Sequence, residues 1–362
     1  MKIQDIKIGK INIALKHPYR VGKKTLTYSD EIVIKIITDT GEIGYGSAAP
    51  TPLITGETMN SIVGAINHMK DEIIGLDIDN LEGIMKIIHN SIFGNNSAKA
   101  AIDIAIYDLY CKRYGLPLYK FLGGYKTTLT TDITIANDTV EHMVGKSLEA
   151  VLDGYTYLKV KIGNDIDLDI ERVKAVRTAV RRGIKIRVDA NQGWAPKEAV
   201  SIIRKFEDMG LDIEFVEQPV KAWDIDGLKY VTDNVSTKIL ADEAVFGPSD
   251  AFKIIEKRAA DLISIKLMKC GGINNAIKIY NMAENMGIRC MMGCMLESRI
   301  GITAAASFAA SKSNMIKADL DTILLFEQDS IIGGASISAN KIIINDFPGL
   351  GISDIIGWHE IL

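Results

Sequence analysis

Five ionisable residues recur through the middle of this 362-residue chain at an almost even interval. Lys161, Asp189, Glu217, Asp242 and Lys266 are separated by 28, 28, 25 and 24 positions, and each closes a short apolar run: "YLKVKIG", "KIRVDA", "IEFVEQP", "KILADEA" and "LISIKL". Three acids brought to one place cannot all stay ionised without compensation, because like charges raise one another's pKa; a divalent cation resolves the conflict. Oxygen ligands with no histidine or cysteine at matching positions select a hard ion, so Asp189, Glu217 and Asp242 are expected to hold one Mg2+ per subunit, with Mn2+ the alternative. Asn191 is expected to support Asp189 through its amide from just outside the ligand set.

The two lysines complete the chemistry. Runs two and six of an eight-membered ring lie opposite each other, so Lys161 and Lys266 would face the two sides of a substrate whose carboxylate sits on the ion. Taking the α-proton from one face and returning one to the other inverts that carbon. Such a proton is very weakly acidic, and its carbanion is tolerable only as an enediolate whose second charge is met by metal and ammonium groups. Lys159 shares the strand face of Lys161 by the two-residue period. Their mutual repulsion and the nearby cation are expected to depress an amine pKa toward neutrality, with Lys161 the base and Lys159 its modulator and a contact to the substrate carboxylate or enediolate.

Those side chains need a scaffold that points strand ends at one space. From residue 127 onward, β-branched strands alternate with amphipathic helices; strands are expected at 130–136, 157–163, 185–190, 213–219, 238–244, 262–267, 288–294 and 315–321. Eight such repeats close as a (β/α)8 TIM-type barrel, whose active site lies at the carboxyl ends of the strands. An open doubly wound sheet is the rival, but no Gly-x-Gly-x-x-Gly follows an early strand. Ahead of the barrel, hairpin strands fill the first 50 residues and helices are expected at 57–74, 79–91 and 96–113, an α+β pattern. The organisation expected is therefore a capping domain over 1–125, a barrel over 126–328, and a segment over 329–362 that returns to the cap. The polar, glycine-bearing stretch 17–29 reads as a mobile loop.

Bulk properties remove several function classes. Hydrophobic residues at 47% and charged residues at 24% describe a globular chain. A net charge of −4 with no long lysine–arginine run argues against nucleic acid. No uncharged stretch reaches transmembrane length, so no membrane partner is expected. The cysteines (Cys111, Cys270, Cys290, Cys294) lack zinc-site spacing and are too few for a disulfide scaffold, which points to a reducing, cytoplasmic compartment.

The stretches "KVKIG" (159–163), "VDANQGW" (188–194), "VEQPV" (216–220), "ADEAV" (241–245) and "IKLMKCGG" (265–272) together resemble the enolase superfamily, muconate-lactonising-enzyme subgroup. The resemblance implies a modified, enolase-like barrel with an α+β cap, and a metal-dependent isomerase. "GCMLES" (293–298) and "DLD" (319–321) look like the dipeptide epimerases. That likeness implies an L-Ala-D/L-Glu-like dipeptide inverted at its C-terminal residue, a role in reclaiming murein peptides, and Asp319 and Asp321 side by side on strand eight holding the α-ammonium. It also implies a cap-loop cation for a glutamate side chain. Family members place arginine there; here Lys24 is the expected match, with Lys23 and Arg20 as alternative registers. Thr134, Met295 and Ser298 are expected around the pocket. Epimerases of other dipeptides, cycloisomerases and o-succinylbenzoate synthases share the same array, and subunits of this subgroup commonly form homo-oligomers.

Overall fold

A computed structural model describes the chain apart from Gly22, Lys23, Asn164 and Leu362, and describes the backbone alone at Tyr19, Arg20, Val21 and Lys24. The chain opens with strands β1 (Ile3–Val21), β2 (Lys24–Thr38) and β3 (Ile43–Ala48), followed by helices α1 (Met59–Ile73), α2 (Leu81–Ser91) and α3 (Asn96–Arg113). In β1, Ile11, Ile13 and Leu15 point into the core while Lys10, Asn12 and Lys16 face water, the alternation of a half-buried strand.

Of residues 17–29, expected as a loop, the described 17–21 and 24–29 are instead the distal part of a long β1–β2 ribbon paired Tyr19↔Leu26, Arg20↔Thr25 and Val21↔Lys24. An antiparallel ladder is held by backbone bonds. It needs no apolar alternation where both faces meet solvent, so polarity concealed it.

Helix α3 is buried along nearly its whole length, wedged between the cap sheet and the barrel. Its alanines make this close approach feasible: a Cβ at Gly46 of β3 would fall 1.9 Å from the Ala101 carbonyl oxygen. At its start, Glu57 accepts from the Ser97 and Ala98 amides. From its middle, Asp103 accepts from the Ile273 and Asn274 amides at 2.6 and 3.1 Å, capping a barrel helix from the other domain.

After the short β4 (Thr128–Thr130) come β5 (Ile133–Ile135), β6 (Tyr157–Lys161), β7 (Lys185–Asp189), β8 (Ile213–Glu217), β9 (Lys238–Ala241), β10 (Leu262–Ile265), β11 (Arg289–Gly293) and β12 (Met315–Asp319). They form one parallel sheet in sequence order from β5 to β12. Its ends meet through a single Thr131↔Ala318 bridge and the Asp132 amide, which donates to the Ala318 carbonyl at 3.4 Å. This is the expected eight-stranded barrel, nearly closed. In its lower layer, Phe215, Leu240, Leu262 and Met291 fill the side of β8–β11, whereas β6, β7 and β12 contribute Tyr157, Arg187 and Lys317.

The remaining strands are β13 (Ile331–Gly333), β14 (Ser336–Ser338), β15 (Lys341–Ile343), β16 (Ile352–Ile355) and β17 (His359–Glu360). β17 pairs antiparallel with β1 and joins the cap sheet, and β15 pairs with β4 under the barrel. Among the described residues no helix is long and apolar enough to cross a membrane.

Candidate active site

Strand register sets the site. Lys161 is the Cα partner of Asp189, and Asp189 of Glu217, so three neighbouring strands end in a row of ionisable groups. Asp242 and Lys266 each stand one residue beyond their strands. Gly163, at φ +110°, lets the turn after β6 pass the end of β7, where a Cβ would fall 2.1 Å from the Ala190 carbonyl oxygen. Asn191, Gln192 and Gln218 hold positive φ in the turns after β7 and β8, strain concentrated around the acids.

One cavity of about 290 Å3 gathers Lys159, Lys161, Asp189, Asn191, Asp242, Lys266, Thr134, Met295, Asp319 and Asp321 on its wall. Lys161 lies on β6 and Lys266 follows β10, with β7, β8 and β9 between them along the sheet, so they approach from opposite arcs of the ring. The cap closes the mouth with Leu26, Tyr28, Ser29 and Asp30 of β2 and with Pro50 to Ile54 after β3.

Lys159 is buried at the centre. Its Nζ donates to Glu217 Oε1 at 3.0 Å and to Asp319 Oδ2 at 2.8 Å, and lies 3.1 Å from Asp189 Oδ2. Lys161 Nζ is 3.8 Å from the same Asp189 oxygen and is the more open amine, its side chain 30% exposed. Lys266 Nζ donates to Asp242 Oδ2 at 2.8 Å. Lys159 and Lys266 hold their protons firmly. Burial lowers both, but Asp189, Asp319 and Glu217 around Lys159, and Asp242 beside Lys266, outweigh it and hold the amines above the ordinary lysine value.

The acids show the complementary pattern. Burial and then Asp189 push Glu217 well above an ordinary glutamate. Burial pushes Asp242 up, but Lys266 and Lys269 overcome it and hold the carboxyl low. Among the described residues no three acidic, histidine or cysteine side chains already stand in cation-binding geometry, because the carboxylates are turned onto ammonium groups. The donor set nevertheless fits a hard divalent ion. Three carboxylates are buried on adjacent strand ends, and Glu217 Oε2, 3.0 Å from Lys159 Nζ, accepts no hydrogen bond among the described residues. Asn191 donates its backbone N–H to Asp189 Oδ1 at 3.0 Å, while its side-chain amide, expected to support Asp189, reaches Glu243 Oε1 at 3.4 Å instead.

Asp319 and Asp321 meet the cavity together but not as neighbours on one strand: Asp319 ends β12, while Asp321 lies beyond it with αR backbone angles. Asp321 Oδ2 accepts from the Thr134 amide at 2.7 Å. Burial and then Asp319 raise its carboxyl to about 6. Met295 is on the wall; Ser298 is not, being buried between Glu31 and Ser47 of the cap. The side chains of Lys24 and Arg20, and Lys23 altogether, lie outside the described residues.

Several further groups support the site. Lys269 is fully buried and donates to Asp242 Oδ1 at 2.5 Å. Gln218 Oε1 accepts from the Asp242 and Ala244 amides at 2.9 and 3.1 Å, fixing the turn that presents Asp242. Glu243, beside Asp242, is raised by burial and by Asp242 and Asp189. The doublets "EQ" and "DE" were the available signal. Glu31 of β2 accepts from the Ser298 amide, and Glu297 from the Met295 amide at 2.8 Å. Burial raises Glu31 to about 7, and burial with Glu31 nearby raises Glu297 to about 8.

Comparison with known proteins gives a consistent outcome. The family model described as the mandelate racemase/muconate lactonizing enzyme N-terminal domain matches residues 3–123, and the enolase C-terminal domain-like model matches 143–353. An L-Ala-D/L-Glu epimerase of Clostridium acetobutylicum is 50% identical, covering 98% of this chain and 99% of its own. The substrate-liganded L-Ala-D/L-Glu epimerase of Bacillus subtilis superposes with a TM-score of 0.96 at 45% identity, covering 99% of this chain and 100% of that one. A dipeptide epimerase of Enterococcus faecalis complexed with Mg and L-Leu-L-Tyr gives a TM-score of 0.93 at 44% identity, over 98% of this chain and 100% of that one.

Proposed function

This chain belongs to the mandelate racemase/muconate lactonizing enzyme family of the enolase superfamily, and from that premise we propose that it is a Mg2+-dependent dipeptide epimerase acting on L-Ala-D/L-Glu-like dipeptides. The observation that carries this reading is the placement of Lys161 and Lys266 on opposite arcs of one cavity, with Asp189, Glu217 and Asp242 between them.

Asp189, Glu217 and Asp242 would hold Mg2+, which when bound draws charge from the substrate carboxylate and acidifies the neighbouring α-proton. Lys159 reaches into the same space and orients that carboxylate. Lys161 as neutral amine removes the α-proton from one face, and Lys266 as ammonium delivers a proton to the other; the reverse direction exchanges their roles. Asp319 and Asp321 receive the α-ammonium of the amino-terminal residue, an interaction that a cycloisomerase or o-succinylbenzoate synthase would not require.

A broader dipeptide range is the second reading, favoured by the apolar cap wall of Leu26, Tyr28, Leu53 and Ile54. A cytoplasmic homo-oligomer engaged in murein peptide turnover completes the proposal; four free, buried cysteines accord with a reducing compartment.

Incubating the protein with Mg2+ in D2O and a panel of L,L-dipeptides tests it. Deuterium is expected at the C-terminal α-carbon of both epimers, with L-Ala-L-Glu among the best substrates. Lys161→Ala and Lys266→Ala should each lower epimerisation at least ~100-fold; native turnover in either variant would defeat the two-base assignment.

A further inference from the structure

The opposite mouth of the barrel holds a second cavity, of about 180 Å3, walled by Lys126, Arg187 and Lys317 with Tyr157 and the β4 backbone. Arg187 is only 2% exposed. Its Nε donates to Glu214 at 2.8 Å, and its Nη1 to Asp132 at 2.5 Å and to the Ala318 carbonyl at 3.2 Å. Nη2 makes no hydrogen bond among the described residues, although a guanidinium offers five donors.

The charges around this cavity do not balance. Glu214 answers both Arg187 and Lys317. Asp132 answers Arg187 from the inner side, which leaves two acids against the three cations Arg187, Lys126 and Lys317. Among the described residues Lys126 has no acidic partner and stands 5.8 Å from the Tyr125 ring, and burial lowers its pKa. Aromatic rings of Tyr157 and Phe215 flank the guanidinium at 4.6 and 5.4 Å, so the excess positive charge faces a partly apolar wall where water screens it poorly.

We propose that this cavity at the amino-terminal mouth of the barrel is a binding site for a small tetrahedral oxyanion, such as sulfate or phosphate, held by Arg187 Nη2, Lys126 and Lys317. A guanidinium edge with two converging ammonium groups suits an ion with several acceptor oxygens. The cavity admits such an ion together with several waters. The site lies across the barrel from the epimerase cavity.

Calorimetric titration of sodium sulfate into the full-length Mg2+-loaded protein, at ionic strength matched with chloride, tests the site. Saturable binding of one sulfate per chain is expected at millimolar concentration. Lys126→Met should weaken it about tenfold, while Lys126→Arg should retain it and Lys161→Ala should leave it unchanged. Sulfate-free turnover of Lys126→Met should equal that of the native protein. Absence of saturable binding, native affinity in Lys126→Met, or loss of binding in Lys161→Ala would each overturn the proposal, the last by assigning the anion to the epimerase cavity.

Discussion

Asp242 is shared between two lysines: Lys266 Nζ holds Oδ2 at 2.8 Å and Lys269 Nζ holds Oδ1 at 2.5 Å. A proposed metal ligand and a proposed acid–base group therefore compete for one carboxylate. Cation uptake by Asp242 weakens its hold on Lys266, which lowers the cost of deprotonating that amine. Asp242→Asn removes the shared charge and leaves two buried ammonium groups facing a neutral amide. Mg2+ affinity, measured by calorimetry, is expected to fall at least ~10-fold, and urea unfolding should show a loss on the order of 3 kcal/mol.

The Asp319–Asp321 corner predicts a discrimination between substrates. Asp321→Asn should raise KM for a free dipeptide about tenfold, while residual turnover of the N-acetylated dipeptide stays the same in native and variant enzymes. Equal effects on both substrates would remove the ammonium contact.

The same aspartate predicts a pH effect. Its carboxyl is raised to about 6, so the negative charge available to an ammonium group is present above that pH and lost as pH falls through it. KM for the free dipeptide should therefore climb on acidification through pH 6 in the native enzyme, with that component absent in Asp321→Asn.

Glu31 carries a stability signature. Its folded pKa of about 7 lies above the ordinary value of 4.5. Between those limits the folded protein keeps a proton that the unfolded chain has released, so stability falls as pH rises through the window and levels off beyond it. Glu31→Gln removes this term while keeping an acceptor for the Ser298 amide. Denaturant unfolding should show variant and native protein equal near pH 4, and the variant more stable by about 3 kcal/mol at pH 9.

Lys24 tests the side-chain preference. Lys24→Ala is expected to raise KM for L-Ala-L-Glu about tenfold and leave L-Ala-L-Leu unchanged, and Lys24→Arg should favour glutamate further through bidentate pairing.

Much of this architecture was legible in the sequence for a specific reason. A parallel barrel buries both faces of each strand, so an ionisable residue closing an apolar run stands out, as Asp189, Glu217 and Lys266 do. Helix α3 was placed at its observed limits because Asn96 to Arg113 carries a continuous apolar pattern ended by Gly115. What escaped depends on contacts remote in the chain. Glu31 meets the Ser298 amide 267 positions away, and neither residue has a local pattern to announce it. Arg187 likewise pairs with Glu214 and Asp132, 27 and 55 positions away. Asp321 was assigned to a strand because its spacing from Asp319 obeys the two-residue period, but the chain leaves the sheet between them.

The seam between β5 and β12 has a consequence for how such a protein can diversify. Thr134 and the two aspartates that grip the proposed amine lie beside the ring's least-bonded joint, whereas the proposed ion and proton-transfer groups are carried by continuously laddered strands β6 to β10. Substitutions at the joint can redraw which amino-terminal group is accepted while the reacting carbon is handled by unchanged machinery, so selectivity and chemistry can be inherited as separable modules.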